Sequence, residues 1–121
     1  MATDEGLTAV LTQLASVSRA PMTGPERELR ARPLLTAGVT ASELARATAR
    51  ADLPWTVAQA KEHGVDVGTW LQAVHIVDLP ASTSTIDLLN RLHRVEAAAD
   101  LLRAGYVGGR NPLGQITWSG R

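Results

Sequence analysis

The sequence predicts an all-α fold: a small bundle of five or six helices followed by an extended C-terminal arm. Three observations carry this. Apolar residues recur at helical spacing in several segments, first in Leu7, Val10, Leu11, Leu14 and Val17. Capping-box spacings open three further segments, at Thr23-x-x-Glu26, Thr40-x-x-Glu43 and Ser84-x-x-Asp87. Nothing alternates over the length of a strand except Gln115 to Trp118. The 121 residues suffice for one modest core.

The first helix runs from about Asp4 to Ser18, its narrow apolar stripe in need of a partner surface. Pro21 and Gly24-Pro25 break the chain, and Thr23 starts a short helix that Pro33 ends near Arg32. Gly38 precedes the Thr40-x-x-Glu43 capping pattern, and Leu44-Ala45 begins a helix running to about Arg50. Pro54 opens the next, which stops at Gly64. Asp66 caps a helix from Val67 to Val77, closed by Pro80. The longest helix, Thr85 to Ala104, ends at Gly105. Residues 1–104 form the helical domain. Residues 105–121 hold Gly105, Gly108, Gly109, Gly114 and Gly120 with Pro112, and read as an extended arm.

Composition narrows the function classes. Twelve Lys and Arg balance twelve Asp and Glu, so no net field draws the molecule to nucleic acid or to an anionic membrane. The absence of cysteine removes disulfides, thiolate catalysis and Cys-ligated zinc. No stretch approaches the roughly 20 apolar residues of a membrane span, and the acidic start Met1-Ala2-Thr3-Asp4-Glu5 is unlike a secretory signal. The expected location is the cytoplasm or a cytoplasmically assembled particle, with no membrane partner. His63, His75 and His93 lack metal-ligand spacing. His75 and Asp78 are one turn apart, which is more often a local hydrogen bond than an acid/base pair. Gly105 to Gly109 neither follows a strand nor opens a helix, so a phosphate loop fails on context. The expectation is no enzyme, no cofactor, no metal and no small-molecule substrate.

Residues Gly38 to Val77 carry a helix-turn-helix pattern in two registers. Val39 to Thr48 followed by Trp55-Thr56-Val57 forms one, with two residues too many between the halves and no turn glycine. Ala60 to Gly64 followed by Val65, Trp70 and Ala73 forms the other, better spaced. The stretch resembles helix-turn-helix domains, and the resemblance implies DNA contacts through Arg46, Arg50, Lys61, Thr69 and Gln72. Charge opposes this. From Glu62 to Asn90 there is no Lys or Arg, only Glu62, Asp66, Asp78 and Asp87, so a reading helix there has nothing to grip phosphate.

Along the longest helix Leu88, Leu92, Val95, Ala99 and Leu102 form a heptad-like seam with Leu89, Ala98 and Leu101 beside it, wider than one neighbouring helix requires. The plainer reading is a central helix buried in its own bundle; the sharper one is that part of this face meets a second subunit, with Leu92, Val95 and Leu102 as the candidate contacts. No acid follows Asp100, so the arm is cationic, and Ile116 and Trp118 are its apolar anchors with Arg110 and Arg121 as charged supports. The leading expectation is a non-catalytic assembly module that self-associates or docks its arm, Trp118 foremost, on a neighbour rather than on its own helices. Small alanine-rich helical domains with such arms resemble, in architecture alone, the head–tail connector proteins of tailed phages. The alternative is a helix-turn-helix DNA-binding regulator or accessory protein.

Overall fold

A computed structural model describes residues 3–35, 39–77 and 84–120. Among them the chain forms helices α1 (Asp4–Arg19), α2 (Gly24–Ala31), α3 (Ala41–Ala47), α4 (Pro54–Glu62), α5 (Val67–Val77) and α6 (Thr85–Arg103), then strands β1 (Val107–Arg110) and β2 (Ile116–Ser119). The mostly helical bundle is as expected. No described helix is long and apolar enough to cross a membrane. Gly38, Asp78, Pro80 and Arg121 lie outside the described residues.

Helix starts follow local chemistry. The Thr23, Thr40 and Ser84 hydroxyls accept from the backbone N–H of Glu26, Glu43 and Asp87, each relieving one unpaired N–H of a first turn. Thr3 does the same for Gly6 ahead of α1. Two details differ from the sequence reading. Pro33 ends α2 as an α-helix, yet the chain continues as a 3-10 turn from Arg32 to Leu35, whose i+3 bonds tolerate the missing donor better. α3 stops at Ala47, three residues early, as buried Thr48 turns its hydroxyl onto the Ala45 carbonyl.

α4 and α6 end alike. Val65 N–H bonds Ala60 O and Gly64 N–H bonds Lys61 O, with Gly64 at φ +69°. Tyr106 N–H bonds Leu101 O and Gly105 N–H bonds Leu102 O, with Gly105 at φ +95°. Both are Schellman ends, which need a left-handed residue that glycine supplies without a Cβ clash.

The core is built around α6, which packs chiefly on α5 and α1. Leu11, Leu14, Leu44, Leu53, Leu88 and Leu89 are all but sealed from solvent. Trp55 and Trp70 meet edge to face at 5.8 Å and 79°, filling the space phenylalanine fills elsewhere. The seam on α6 belongs to this core. Leu92 is 3% and Val95 1% exposed, and Leu102 packs half-buried against the cluster. The width that suggested a second subunit is explained within the chain, because α6 also meets α2 and α3. Leu92 and Val95 are therefore core residues with no surface to offer a partner.

Candidate interaction surface at the C-terminal hairpin

The expected extended arm is a β-hairpin seated on the helices. β1 and β2 pair antiparallel in the register Val107↔Ser119, Gly108↔Trp118, Gly109↔Thr117, Arg110↔Ile116. The sequence reading missed it because the strands are too short and glycine-rich to alternate visibly. The turn is the signal that was there to find: Asn111-Pro112-Leu113-Gly114 has the residue preferences of a type I turn. Gly114, at φ +78°, donates its N–H to Asn111 O at 2.9 Å. Asn111 Oδ1 accepts from both Leu113 N–H (3.0 Å) and Gln115 N–H (2.9 Å), and Asn111 N–H returns to Gln115 O. The Arg110 guanidinium bonds the Gly114 carbonyl from below.

Two features seat the hairpin. Gly108 lies so close to the Trp118 ring of the paired strand and to Ile76 of α5 that an added Cβ would stand 2.7 Å from Trp118 Cζ3 and 2.9 Å from Ile76 Cδ1. Arg110 Nη2 donates to the carbonyls of Ile76 (2.7 Å) and Val77 (2.9 Å), capping the last turn of α5, where the helix dipole favours a cation. The expectation that Trp118 avoids its own helices fails here. Trp118 lies half-buried against the core and, with Ile116, Val77, Ala97, Ala98, Leu101 and Arg94, lines a mostly apolar slot of about 170 Å³. Burying part of an indole at home is favourable once the strand can approach closely, and Gly108 allows that.

The outer side of the hairpin is the opposite case. Leu113 is 82% exposed at the tip, and Val107 65% near the base. A leucine held out on a turn with this many backbone and side-chain bonds is displayed, and it loses little freedom on binding a second surface.

The residues suggested by the helix-turn-helix resemblance are scattered in their environments. Arg46, Lys61 and Gln72 are exposed. Arg50 is held by Asp4 (2.8 and 3.0 Å) and Asp52 (3.2 and 3.0 Å), bonds that raise its own pKa and depress that of Asp52. Thr69 gives its N–H to Asp66 Oδ1 at 2.6 Å, which lowers the Asp66 pKa. Gln72 and His75 face β1 across a cleft that Ile76, Gly108, Gly109 and Arg110 complete.

A polar cluster that sequence spacing did not reveal joins α1, α4 and α6. Arg19 donates through Nε to Glu96 Oε1 at 2.8 Å and through Nη2 to the same oxygen and to Gln59 Oε1, while Nη1 reaches Glu62 at 3.2 Å. The bond to buried Glu96, first among these, raises the Arg19 pKa. His63 Nδ1 lies 3.1 Å from Asp100 Oδ1, its Nε2 3.8 Å from Glu96, and its ring 5.4 Å from that of Trp70. Its members are 19 from α1, 59, 62 and 63 at the end of α4, and 96 and 100 from α6, three sequence-distant groups brought together by helix packing. Among the buried side-chain polar atoms of these described residues only His63 Nε2 is without a hydrogen bond, and the contacts tie α1, the end of α4 and α6 together. Comparison with protein-family models, with curated proteins and with solved structures gave no match for this chain.

Proposed function

We propose that this chain is a non-catalytic interaction module that works through its C-terminal hairpin. The observation that supports the reading most is Leu113, a large apolar side chain displayed on a turn fixed by its own hydrogen bonds. Scattered exposed hydrophobics are ordinary; one presented on a preorganised tip is the form that a binding anchor takes. The test is a photoreactive benzophenone side chain placed at position 113 in the host cell, with the same group at the exposed Val57 on α4 as control. Protein adducts at 113 in excess of those at 57 are expected. Equal labelling at the two positions refutes the reading.

A second reading, a DNA-binding helix-turn-helix protein, draws its support from the tight left-handed turn at Gly64 between α4 and α5 and from the exposed Arg46 and Lys61. Against it stand the acidic stretch from Glu62 to Asn90 and the two carboxylates that occupy Arg50. Retention on random duplex at low salt, falling with a slope of roughly one counterion per phosphate contact, would favour it. No retention removes it.

A further inference from the structure

Both strands of a two-stranded sheet are edge strands. The register decides which backbone groups of β1 are left over. Asn111 N–H bonds Gln115 O, so the pairs alternate from that closing pair onward. Gly109↔Thr117 and Val107↔Ser119 exchange ladder bonds, while Gly108↔Trp118 and Arg110↔Ile116 do not. The backbone N–H and C=O of Gly108 and Arg110 therefore point away from β2, and among the described residues none of them has a partner.

This edge opens onto the cleft of about 340 Å³ between β1 and α5. Gly108, Gly109 and Arg110 line one side of it, Gln72 and His75 the other, with buried Ile76 between them. Gln72 and His75 are exposed, and their side chains hold no hydrogen bond among the described residues. Free edges are ordinarily guarded by lysine, proline, a bulge or a charge. In β1 two of the four residues are glycines and the register runs unbroken. Its one charged residue, Arg110, has its guanidinium drawn onto the carbonyls of Ile76, Val77 and Gly114.

Charge selects the occupant. The ionisable side chains of the cleft are Arg110 and His75, and no carboxylate lines it among the described residues. Arg110 meets carbonyl dipoles only and forms no ion pair there. A carboxylate brought beside it gains an attraction that no described group of the chain supplies. An extended segment can bond the free N–H and C=O of every second residue of β1 while one of its own side chains carries that carboxylate.

We infer that β1 takes up an extended acidic segment of a partner protein as a third strand, paired on Gly108 and Arg110 with an Asp or Glu side chain set toward Arg110 and His75. The inference rests on the reading of the hairpin as the interaction element and names the chemistry of what it binds. To test it, a display library of short linear peptides is panned on the purified full chain. Synthetic copies of the selected peptides are then titrated while amide hydrogen exchange is followed by NMR. The selected sequences should carry Asp or Glu and bind less tightly when that acid becomes its amide. They should slow exchange at Gly108 and Arg110 but not at Ile116 and Trp118, the corresponding groups on the outer edge of β2. Gln72→Trp fills the cleft from α5, and His75→Glu occupies it with the chain's own carboxylate. Each should abolish that protection while melting like the wild type, since both positions are exposed. Selection of no peptide, or of sequences without acids, overturns the inference. So does binding that leaves exchange at Gly108 and Arg110 unchanged or that survives both substitutions. Protection of these two amides in the free chain that grows with its concentration overturns it as well, by showing a second copy on the edge. In every case the benzophenone labelling at position 113 decides separately whether the hairpin meets another protein.

Discussion

Adjacent glycines in β1 give the seating of the hairpin an internal control. Neither Gly108 nor Gly109 has a left-handed backbone, so alanine is sterically admissible at the backbone of both. At each position the substitution restricts the unfolded chain and stabilises by about 0.4–1 kcal/mol. The surroundings differ. Around Gly109 nothing lies within 4 Å of an added Cβ, while at Gly108 it meets Trp118 Cζ3 at 2.7 Å, Trp118 Cη2 at 2.8 Å and Ile76 Cδ1 at 2.9 Å. Carbon pairs prefer about 3.5–4.0 Å, and forcing one methyl into a filled contact costs about 1–3 kcal/mol. Gly109→Ala should therefore be slightly more stable than the wild type and Gly108→Ala less stable, with about 1–3 kcal/mol between them. In urea this gap moves the midpoint by on the order of 1 M at unchanged slope. Because Trp118 is half-exposed, part of the strain can be relieved by turning its ring outward, which its fluorescence reports against the buried Trp55 and Trp70. Equal midpoints for the two variants together with unaltered emission would refute the close packing of Gly108 against Trp118 and Ile76.

Two further outcomes follow from the polar contacts. Arg19→Ala leaves Glu96 buried without its main donor. The usual loss of about 3–5 kcal/mol for breaking a buried pair must be reduced here, because Arg19 is 38% exposed in its side chain. A destabilisation of about 1–3 kcal/mol by denaturant titration is expected, and a change below about 0.5 kcal/mol would show the tie to be ornamental. The pKa values of Asp66 and Asp52 are lowered by the Thr69 N–H and by Arg50 respectively. Their contribution is thus complete above the ordinary carboxylate range and lost as the pH falls through and below about 4. Asp66→Asn, which keeps a capping oxygen but not the ionisation, should flatten the fall of stability on acidification. An unchanged acid profile would contradict the assignment.

Much of the helical layout could be read from the sequence, because helix ends are set by residues within a few positions of each other. Thr23, Thr40 and Ser84 cap where their spacing to Glu26, Glu43 and Asp87 predicts, and Gly64 and Gly105 stop their helices through bonds closed within one turn. The destination of each apolar face was not legible in the same way. The seam on α6 has the same period whether it meets a second subunit or the chain's own helices, and only packing assigned Leu92 and Val95 to the core. The hairpin shows the same limit. Asn111-Pro112-Leu113-Gly114 encodes the turn locally, but the contact of Gly108 with Ile76, the capping of α5 by Arg110 and the half-burial of Trp118 each join residues more than thirty positions apart or depend on such a junction. The Arg19–Glu96 tie likewise spans 77 positions. Local backbone bonding depends on neighbours in the chain and can be deduced from them. Which surfaces meet depends on the summed burial of the whole molecule, and that was decided only by the tertiary structure.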